Sequence, residues 1–281
     1  MSMKKIGYAL TIAIIAFTSC SKDDDIVDTG FKVLEYRPAP GQFINEGMNC
    51  QTMEEANSYA EECFKNKANV SLGAFGGYIT VRMPKEIKNR KGYDFAIIGN
   101  PFSGSSEPGI VWVSEDTNGN GKADDSWYEL KGSDEPTRGY SVTYYRPEQA
   151  GDINWKDNQG NEGVIKYLPQ YHKQIYYPEW IKEDSYTLTG SMLEPRTVQE
   201  GGVWKNQDFG KGYADNWGSD IAKDDNGNYR YNQFDLDDAI DQDGNRVKLE
   251  RILFVKVQSA ILKNVEKIGE VSTEVVGFKV F

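Results

Sequence analysis

The chain has 281 residues, of which 38% are hydrophobic and 27% are charged, and this composition is typical of a globular protein. Its net charge of −11 at pH 7 disfavours nucleic acid as a partner, because an acidic surface is repelled by phosphate backbones. The single histidine, His172, disfavours catalysis by a serine–histidine or cysteine–histidine pair.

The first twenty residues have the pattern of a secretory signal. Lys4 and Lys5 precede an apolar run over residues 6–17, which is too short to span a bilayer. The sequence up to Cys20, Phe-Thr-Ser-Cys, then resembles a bacterial lipobox, and the acidic residues after it resemble the export signal of surface lipoproteins in Bacteroidetes. The alternative is a cleaved signal peptide with an incidental cysteine.

From this pattern we expect a signal peptide over residues 1–19, lipidation at Cys20 and an acidic tether over residues 20–30. The lipid would then be the only membrane anchor, since acyl chains alone hold a protein at a bilayer surface. We expect the protein at the outer membrane, facing the cell exterior.

Strands dominate the remainder of the chain. Tyr78, Thr80 and Arg82 alternate with apolar residues, which predicts a strand with one buried face. Further strands are predicted over residues 31–36, 93–98, 109–114, 139–145, 251–258 and 274–281. The near-continuous apolar run in 251–258 favours the centre of a sheet. We expect an all-β, jelly-roll-like sandwich that forms a single domain over residues 31–281.

One short N-terminal helix is expected over residues 53–65. Thr52 and Glu55 have the spacing of a capping box, in which each side chain binds the backbone of the other residue. Cys50 and Cys63 invite a disulfide in an oxidising compartment, but the helix between them carries them apart by about 1.5 Å per residue. Counting the free thiols of the intact protein distinguishes a Cys50–Cys63 disulfide from two free cysteines.

The glycines of residues 71–77 are interpreted as positions where the backbone passes close under Phe75. A phosphate cradle is disfavoured, because the spacing differs from the dinucleotide pattern and no helix follows.

The loop after residue 114 is the clearest candidate for metal binding. Asp116, Asn118 and Asn120 occupy positions one, three and five, and Gly121 supplies a sharp turn at position six. The remaining candidate ligands are the carbonyl of Lys122 and the side chain of Asp124. Oxygens at alternate positions are typical of a short Ca²⁺ loop, although the closing glutamate of an EF-hand is absent. The alternative is a polar hairpin turn without metal.

The chain between residues 146 and 217 reads as long loops, and aromatic residues crowd it from Trp155 onward. Amphipathic rings beside amide side chains are typical of sites for sugars and other flat ligands with polar edges. The alternative is that these rings pack the loops onto the sheet. The candidate ligand-binding residues are Trp155, Tyr176, Tyr177, Trp180, Trp204 and Trp217.

Several stretches resemble a family of Bacteroidetes cell-surface lipoproteins, often called PKD-like. They are residues 33–43, 71–78, 107–114, 116–125 with 127–130, 158–163 and 271–275. Some members of that family lie beside cobalamin-uptake genes, which implies capture of an outer-membrane ligand. The order of strands up to Trp-Tyr-Glu-Leu, residues 127–130, also resembles jelly-roll carbohydrate-binding modules.

These observations predict a surface lipoprotein that binds an extracellular ligand, a glycan or a cobalamin-like nutrient, for capture or for uptake by an outer-membrane transporter. A Ca²⁺ ion would stabilise one loop. Two alternatives stay open. One is a glycosidase using paired carboxylates such as Glu107 and Asp116, and the other is a structural or adhesion protein.

Overall fold

The structure is a computed structural model that describes residues 30–227 and 229–281. The expected signal peptide, Cys20 and all but the last residue of the expected tether lie outside the described residues. The helical elements are α1 (Met53–Lys65) and a short 3₁₀ turn (Leu236–Asp238). The strands are β1 (Lys32–Arg37), β2 (Val70–Ser71), β3 (Tyr78–Lys88), β4 (Phe95–Gly99), β5 (Gly109–Ser114), β6 (Trp127–Leu130), β7 (Thr137–Tyr145), β8 (Ile153–Asp157), β9 (Glu162–Ile165), β10 (Ser185–Met192), β11 (Thr197–Glu200), β12 (Val203–Asn206), β13 (Ile221–Lys223), β14 (Arg230–Phe234), β15 (Ala239–Ile240), β16 (Arg251–Ser259), β17 (Asn264–Val265), β18 (Gly269–Glu270), β19 (Glu274–Val275) and β20 (Gly277–Val280).

A six-stranded antiparallel sheet forms the framework, in the order β1-β3-β16-β5-β6-β15. Strand β16 lies between β3 and β5, so that Val257 pairs with Ile79 on one side and with Val111 on the other. This placement confirms the prediction that β16 lies centrally. Strand β16, from the last part of the chain, therefore pairs with two strands from its first half.

Two four-stranded sheets, β10-β7-β8-β9 and β13-β14-β4-β20, complete the main architecture. The largest core cluster contains inward-facing residues of all three sheets, including Val81, Val255, Ile97, Val142 and Tyr144. The expectation of an all-β, sandwich-like fold is therefore confirmed.

Helix α1 has the predicted bounds. Its capping box is complete, because the Thr52 side chain accepts from the Glu55 N–H and the Glu55 carboxylate accepts from the Thr52 N–H. The helix contacts β1 through Asn57, whose side-chain oxygen accepts from the Tyr36 N–H. Cys50 and Cys63 are both free and buried. No helix in the described part of the chain has the length and apolar character needed to cross a membrane.

The prediction of long loops between residues 146 and 217 is wrong in part, because five strands lie there. The clearest is β10, where buried Tyr186, Leu188 and Gly190 alternate with exposed neighbours. That period-two signal was obscured by the surrounding aromatic residues. The strand predicted over residues 274–281 is divided into β19 and β20.

Strand β3 also continues to Lys88, past the alternation of Tyr78, Thr80 and Arg82 from which it was predicted, although Pro84 has no N–H to donate to a ladder. The register with β16 shifts between the pairs Ile252–Ile87 and Phe254–Arg82. This irregularity lies where the proline falls, so the strand continues past a residue that cannot pair.

The glycines of residues 71–77 allow close backbone contacts, as the sequence predicted. A Cβ atom at Gly77 would lie 1.8 Å from the carbonyl oxygen of Leu72 and 2.3 Å from the nitrogen of Ala39. A Cβ atom at Gly73 would lie 2.1 Å from the Ala39 oxygen. The backbone therefore crosses here at distances that only glycine permits.

We expect Gly77→Ala to lower the free energy of unfolding by about 3 kcal/mol, because backbone atoms must move apart to admit the methyl group. Chemical denaturation measures the change. The matched control is Gly151→Ala, where the nearest atom to an added Cβ lies 3.7 Å away, and we expect a change within about 0.5 kcal/mol. Equal destabilisation by the two substitutions would contradict the close crossing.

Candidate functional site

An open groove of about 750 Å³ lies on the outer face of the six-stranded sheet. Strand register builds its floor, because directly paired residues of antiparallel strands project to the same side. One row across the sheet consists of paired residues from β1, β3, β16, β5 and β6. They are Glu35, Thr80, Lys256, Trp112 and Glu129. Tyr78 and Gln258 are paired in the next row.

Lys256 lies among three aromatic rings at the centre of this face. Its Nζ atom is 5.8 Å from the ring centroid of Tyr78, 5.1 Å from that of Trp112 and 5.0 Å from that of Trp127. Burial lowers the pKa of Lys256 to about 8, and attraction to Glu35 opposes this shift only in part. The groove therefore contains a lysine that titrates near neutral pH, in a setting that favours cation–π contact.

The polar groups around Lys256 are held in place by hydrogen bonds. The Tyr78 hydroxyl donates to the Glu35 carboxylate at 2.8 Å. The Gln258 amide donates to the carbonyls of Gly76 and Thr189, which joins β16 to β10. The indole N–H of Trp112 is buried without a partner among the described residues. The floor of the groove thus combines fixed acceptors with ring faces.

One wall of the groove is formed by the loop that the sequence singled out as a calcium candidate. Gly121, Lys122 and Ala123 line the groove, opposite residues of β1 and β10. The loop joins β5 to β6, which pair directly with each other. A change in the shape of this loop therefore changes the width of the groove.

The oxygen atoms of this loop converge through hydrogen bonds to its own backbone. The Asp116 carboxylate accepts from the N–H groups of Asn120 and Gly121 at 3.0 and 2.9 Å. The side-chain oxygen of Asn118 also accepts from the Asn120 N–H, and the amide of Asn120 donates to Asp124. Gly121 has a φ of 71°, as the predicted sharp turn requires. The arrangement suits both a Ca²⁺ loop and a self-satisfied turn.

Three of the six aromatic residues predicted to bind ligand are buried in the protein, and that prediction is wrong for them. Tyr176 and Tyr177 are 0% exposed and Trp180 is 5% exposed. Their polar atoms are bonded internally, since the Tyr177 hydroxyl donates to Glu183 and the Trp180 indole donates to Tyr36. These rings therefore pack the loop that carries them against the core. This is the alternative to ligand binding that the sequence left open.

The other three predicted aromatics are half-buried and lie on separate elements. Trp155 is on β8 and packs against Gly163, while Trp204 is on the β11–β12 hairpin. The ring of Trp217 contacts the guanidinium of Arg230 at 5.2 Å. None of the six lines the groove. The rings that do line it, Tyr78 and Trp127, lie on β3 and β6.

The carboxylates named for the glycosidase alternative do not form a pair. Glu107 precedes β5 and Asp116 follows it. An extended strand of that length separates its ends by about 17 Å or more, whereas glycosidases hold their two carboxyl groups about 5 to 10 Å apart. This pairing is therefore wrong.

No protein-family model matches the sequence, and a search of curated proteins finds no match either. The resemblance to cell-surface lipoproteins accordingly stays a prediction, and the groove is the basis on which function is proposed.

We expect Lys256→Met to raise the melting temperature by about 2–4 °C near pH 7, because burying a charged lysine opposes folding. The unfolded chain, in which lysine has its ordinary pKa of 10.5, binds more protons than the folded protein between about pH 8 and 10.5. Stability contributed by this group therefore rises with pH across that window, and the advantage of the variant shrinks near pH 10.

Thermal melts at the two pH values test this expectation, with the exposed Lys91→Met as the control that leaves both melts unchanged. A Lys256→Met variant that melts lower than the parent at neutral pH would show that the cation–π contacts outweigh the desolvation.

Proposed function

We propose that this protein is a surface lipoprotein that captures an extracellular ligand in the groove on its six-stranded sheet. The ligand class is a glycan or a cobalamin-like nutrient, passed to a neighbouring outer-membrane transporter. The observation that carries this proposal is the pairing of half-buried ring faces with fixed polar groups in one open groove. The expected lipid anchor and acidic tether would hold the protein at the outer membrane, facing the cell exterior, where it could capture a ligand for a transporter.

The chemistry of the groove suits a flat ligand with polar edges. Tyr78 and Trp127 offer ring faces on which a sugar or a macrocycle can stack. Glu35 can accept hydrogen bonds, while Arg37 and Lys256 can donate them. Glycans carry hydroxyl groups and cobalamins carry amides, and both kinds of group satisfy donors and acceptors arranged around an apolar body.

The composition of the groove supports binding rather than hydrolysis. Glycoside hydrolysis requires two carboxyl groups that flank the scissile bond. The floor row contains two carboxylates, and both are bonded within the protein: Glu35 accepts from Tyr78, while Glu129 forms a salt bridge with Arg138 and accepts from Ser191. A structural or adhesion protein, the other alternative, has no need for a half-buried lysine among aromatic rings.

Calcium has a defined role in this proposal. The ion would bind Asp116, Asn118, Asn120, the Lys122 carbonyl and Asp124, and would fix the wall formed by residues 121–123. A fixed wall lowers the entropy lost when ligand binds, and therefore increases affinity.

Ligand binding is tested by calorimetry with cobalamin and a panel of soluble polysaccharides. We expect one ligand class to bind, and Trp127→Ala to weaken that binding by at least about tenfold, or about 1.4 kcal/mol, because a stacking face is lost. The control is Trp204→Ala, which removes the same side chain from the β11–β12 hairpin outside the groove and leaves affinity unchanged. If no ligand of the panel binds, the structural or adhesion alternative is favoured. If sugar products form, the glycosidase alternative is favoured.

The metal proposal is tested by titrating chelator-treated protein with Ca²⁺. We expect Asp116→Ala to remove one binding event, and to abolish the component of the EDTA-induced drop in melting temperature that comes from the loop. Asp241→Ala is the matched control, since Asp241 accepts from Asn245 and Asp243 in a similar acidic turn with fewer oxygens. A Ca²⁺ titration that is identical in Asp116→Ala and in the parent would rule out metal in the loop.

A further inference from the structure

A second group of carboxylates lies away from the groove and comes from three distant parts of the chain. Glu107 precedes β5, Asp215 lies in the segment before β13, and Glu274 begins β19. One side-chain oxygen from each residue lies within 4.8 Å of the other two. Asp215 and Glu274 are buried, and Glu107 is partly exposed.

The backbone holds Asp215 at the centre of this carboxylate cluster. One of its carboxylate oxygens accepts from the Asn100 N–H at 3.0 Å, and the other accepts from the Glu274 N–H at 2.8 Å. Its carbonyl accepts from the Glu107 N–H. Gly99 makes room for the carboxylate, because a Cβ atom there would lie 2.7 Å from the Asp215 Oδ1. The cluster is therefore fixed by three separate segments.

The negative charge of the cluster is not balanced by a salt bridge to any positively charged side chain among the described residues. None of the salt bridges within the described residues includes Glu107, Asp215 or Glu274. The Oε1 atom of Glu274, whose residue is only 5% exposed, has no hydrogen-bond partner among the described residues. A buried charged oxygen without a partner is costly, so this arrangement requires either protons or a cation.

The pKa values of the three carboxyl groups indicate the same conflict between burial and negative charge. Burial, followed by repulsion from Asp215, raises the pKa of Glu107 to about 8. Burial raises the pKa of Asp215 to about 7. The pKa of Glu274 is raised well above its ordinary value by burial and by repulsion from Glu107.

A cleft gives solvent access to the cluster. It has a volume of about 400 Å³ and is lined by Glu107 and Glu274, with the exposed rings of Phe43 and Phe102 also lining it. An ion can therefore reach the carboxylates without unfolding of the chain.

We propose that Glu107, Asp215 and Glu274 form a binding site for a divalent cation of the oxygen-seeking class, represented by Ca²⁺. The donors are all carboxylate oxygens, which suit Ca²⁺, and the site offers none of the nitrogen or sulfur ligands that zinc prefers. Calcium–oxygen distances of about 2.3–2.6 Å place ligands on opposite sides of one ion about 5 Å apart. Oxygens within 4.8 Å of one another can therefore share one ion.

The ion would tie the segments before β5, before β13 and at β19 to one another. This site is independent of the groove and of the Asp116 loop. If experiment shows that the cation site is absent, the proposed ligand capture is unaffected. If experiment disproves ligand capture in the groove, the cation site is unaffected.

The test uses the Asp116→Ala protein as parent, so that the loop contributes no calcium signal. Chelator-treated parent is titrated with CaCl₂ by calorimetry. We expect one binding event, which Glu107→Gln and Glu274→Gln each weaken by about tenfold or more because a charged ligand is lost. Glu270→Gln is the control, since Glu270 is a second buried glutamate with an unpartnered oxygen and lies outside the cluster.

Proton release on addition of Ca²⁺ is a second measurement. It is expected if the carboxylates ligate the ion, and it is not expected if they only stabilise the fold. Carboxyl groups must be deprotonated to ligate a cation, so protons displaced by Ca²⁺ make the apparent binding enthalpy vary with the ionisation enthalpy of the buffer. A parent that shows no calcium binding overturns the proposal. Binding that survives Glu107→Gln, or that is lost equally in Glu270→Gln, overturns it as well. If Glu274→Gln fails to fold, Glu107→Gln still tests the site. Glu107 is only partly buried, and glutamine has nearly the same shape, so we expect this variant to fold.

Discussion

The pairing of β16 with β3 on one side and β5 on the other is the contact on which the molecule depends. It places Val255 and Val257 in the core and Lys256 and Gln258 on the outer face. Because side chains of a strand alternate between faces, a slip of one residue would bury Lys256 in the core and expose the valines. The cost of that exchange fixes the register, and the register in turn assembles the groove from strands that are far apart in sequence.

The same register creates a local conflict at Lys256. A central strand of a sheet favours apolar residues, yet this position carries a lysine whose ammonium is largely withdrawn from water and surrounded by ring faces. Departures from local folding preferences are expected where a chain is shaped for recognition, and the surrounding fold tolerates their cost. The core beneath supplies that tolerance, since β16 is buried along nearly its whole length. The polar outer row is thus supported by an apolar inner row on the same strand.

Features set by neighbouring residues could be predicted from the sequence, and features set by distant pairing could not. Helix α1 followed from its capping box, and the turn at Gly121 followed from the spacing of the oxygens before it. The aromatic ligand-binding set failed for Tyr176 and Tyr177 because composition does not show which side of the chain faces the core. The outward alternation of Tyr78 with Thr80 was a usable signal for the groove, but only strand register places Trp127 beside it. Glu107, Asp215 and Glu274 share no local pattern at all.

The two candidate cation sites differ in what an ion would have to replace. In the Asp116 loop, backbone N–H groups already satisfy the oxygens, so Ca²⁺ competes with existing hydrogen bonds for the same lone pairs. In the carboxylate cluster, backbone N–H groups likewise bond both oxygens of Asp215, but the Oε1 atom of Glu274 has no hydrogen-bond partner among the described residues and is open to an ion. The loop ligands are also neighbours in sequence, whereas the cluster joins three segments, and closing long stretches of chain restricts the unfolded state more strongly. An ion in the cluster would therefore act on the stability of the whole fold, while an ion in the loop would act chiefly on the shape of the groove.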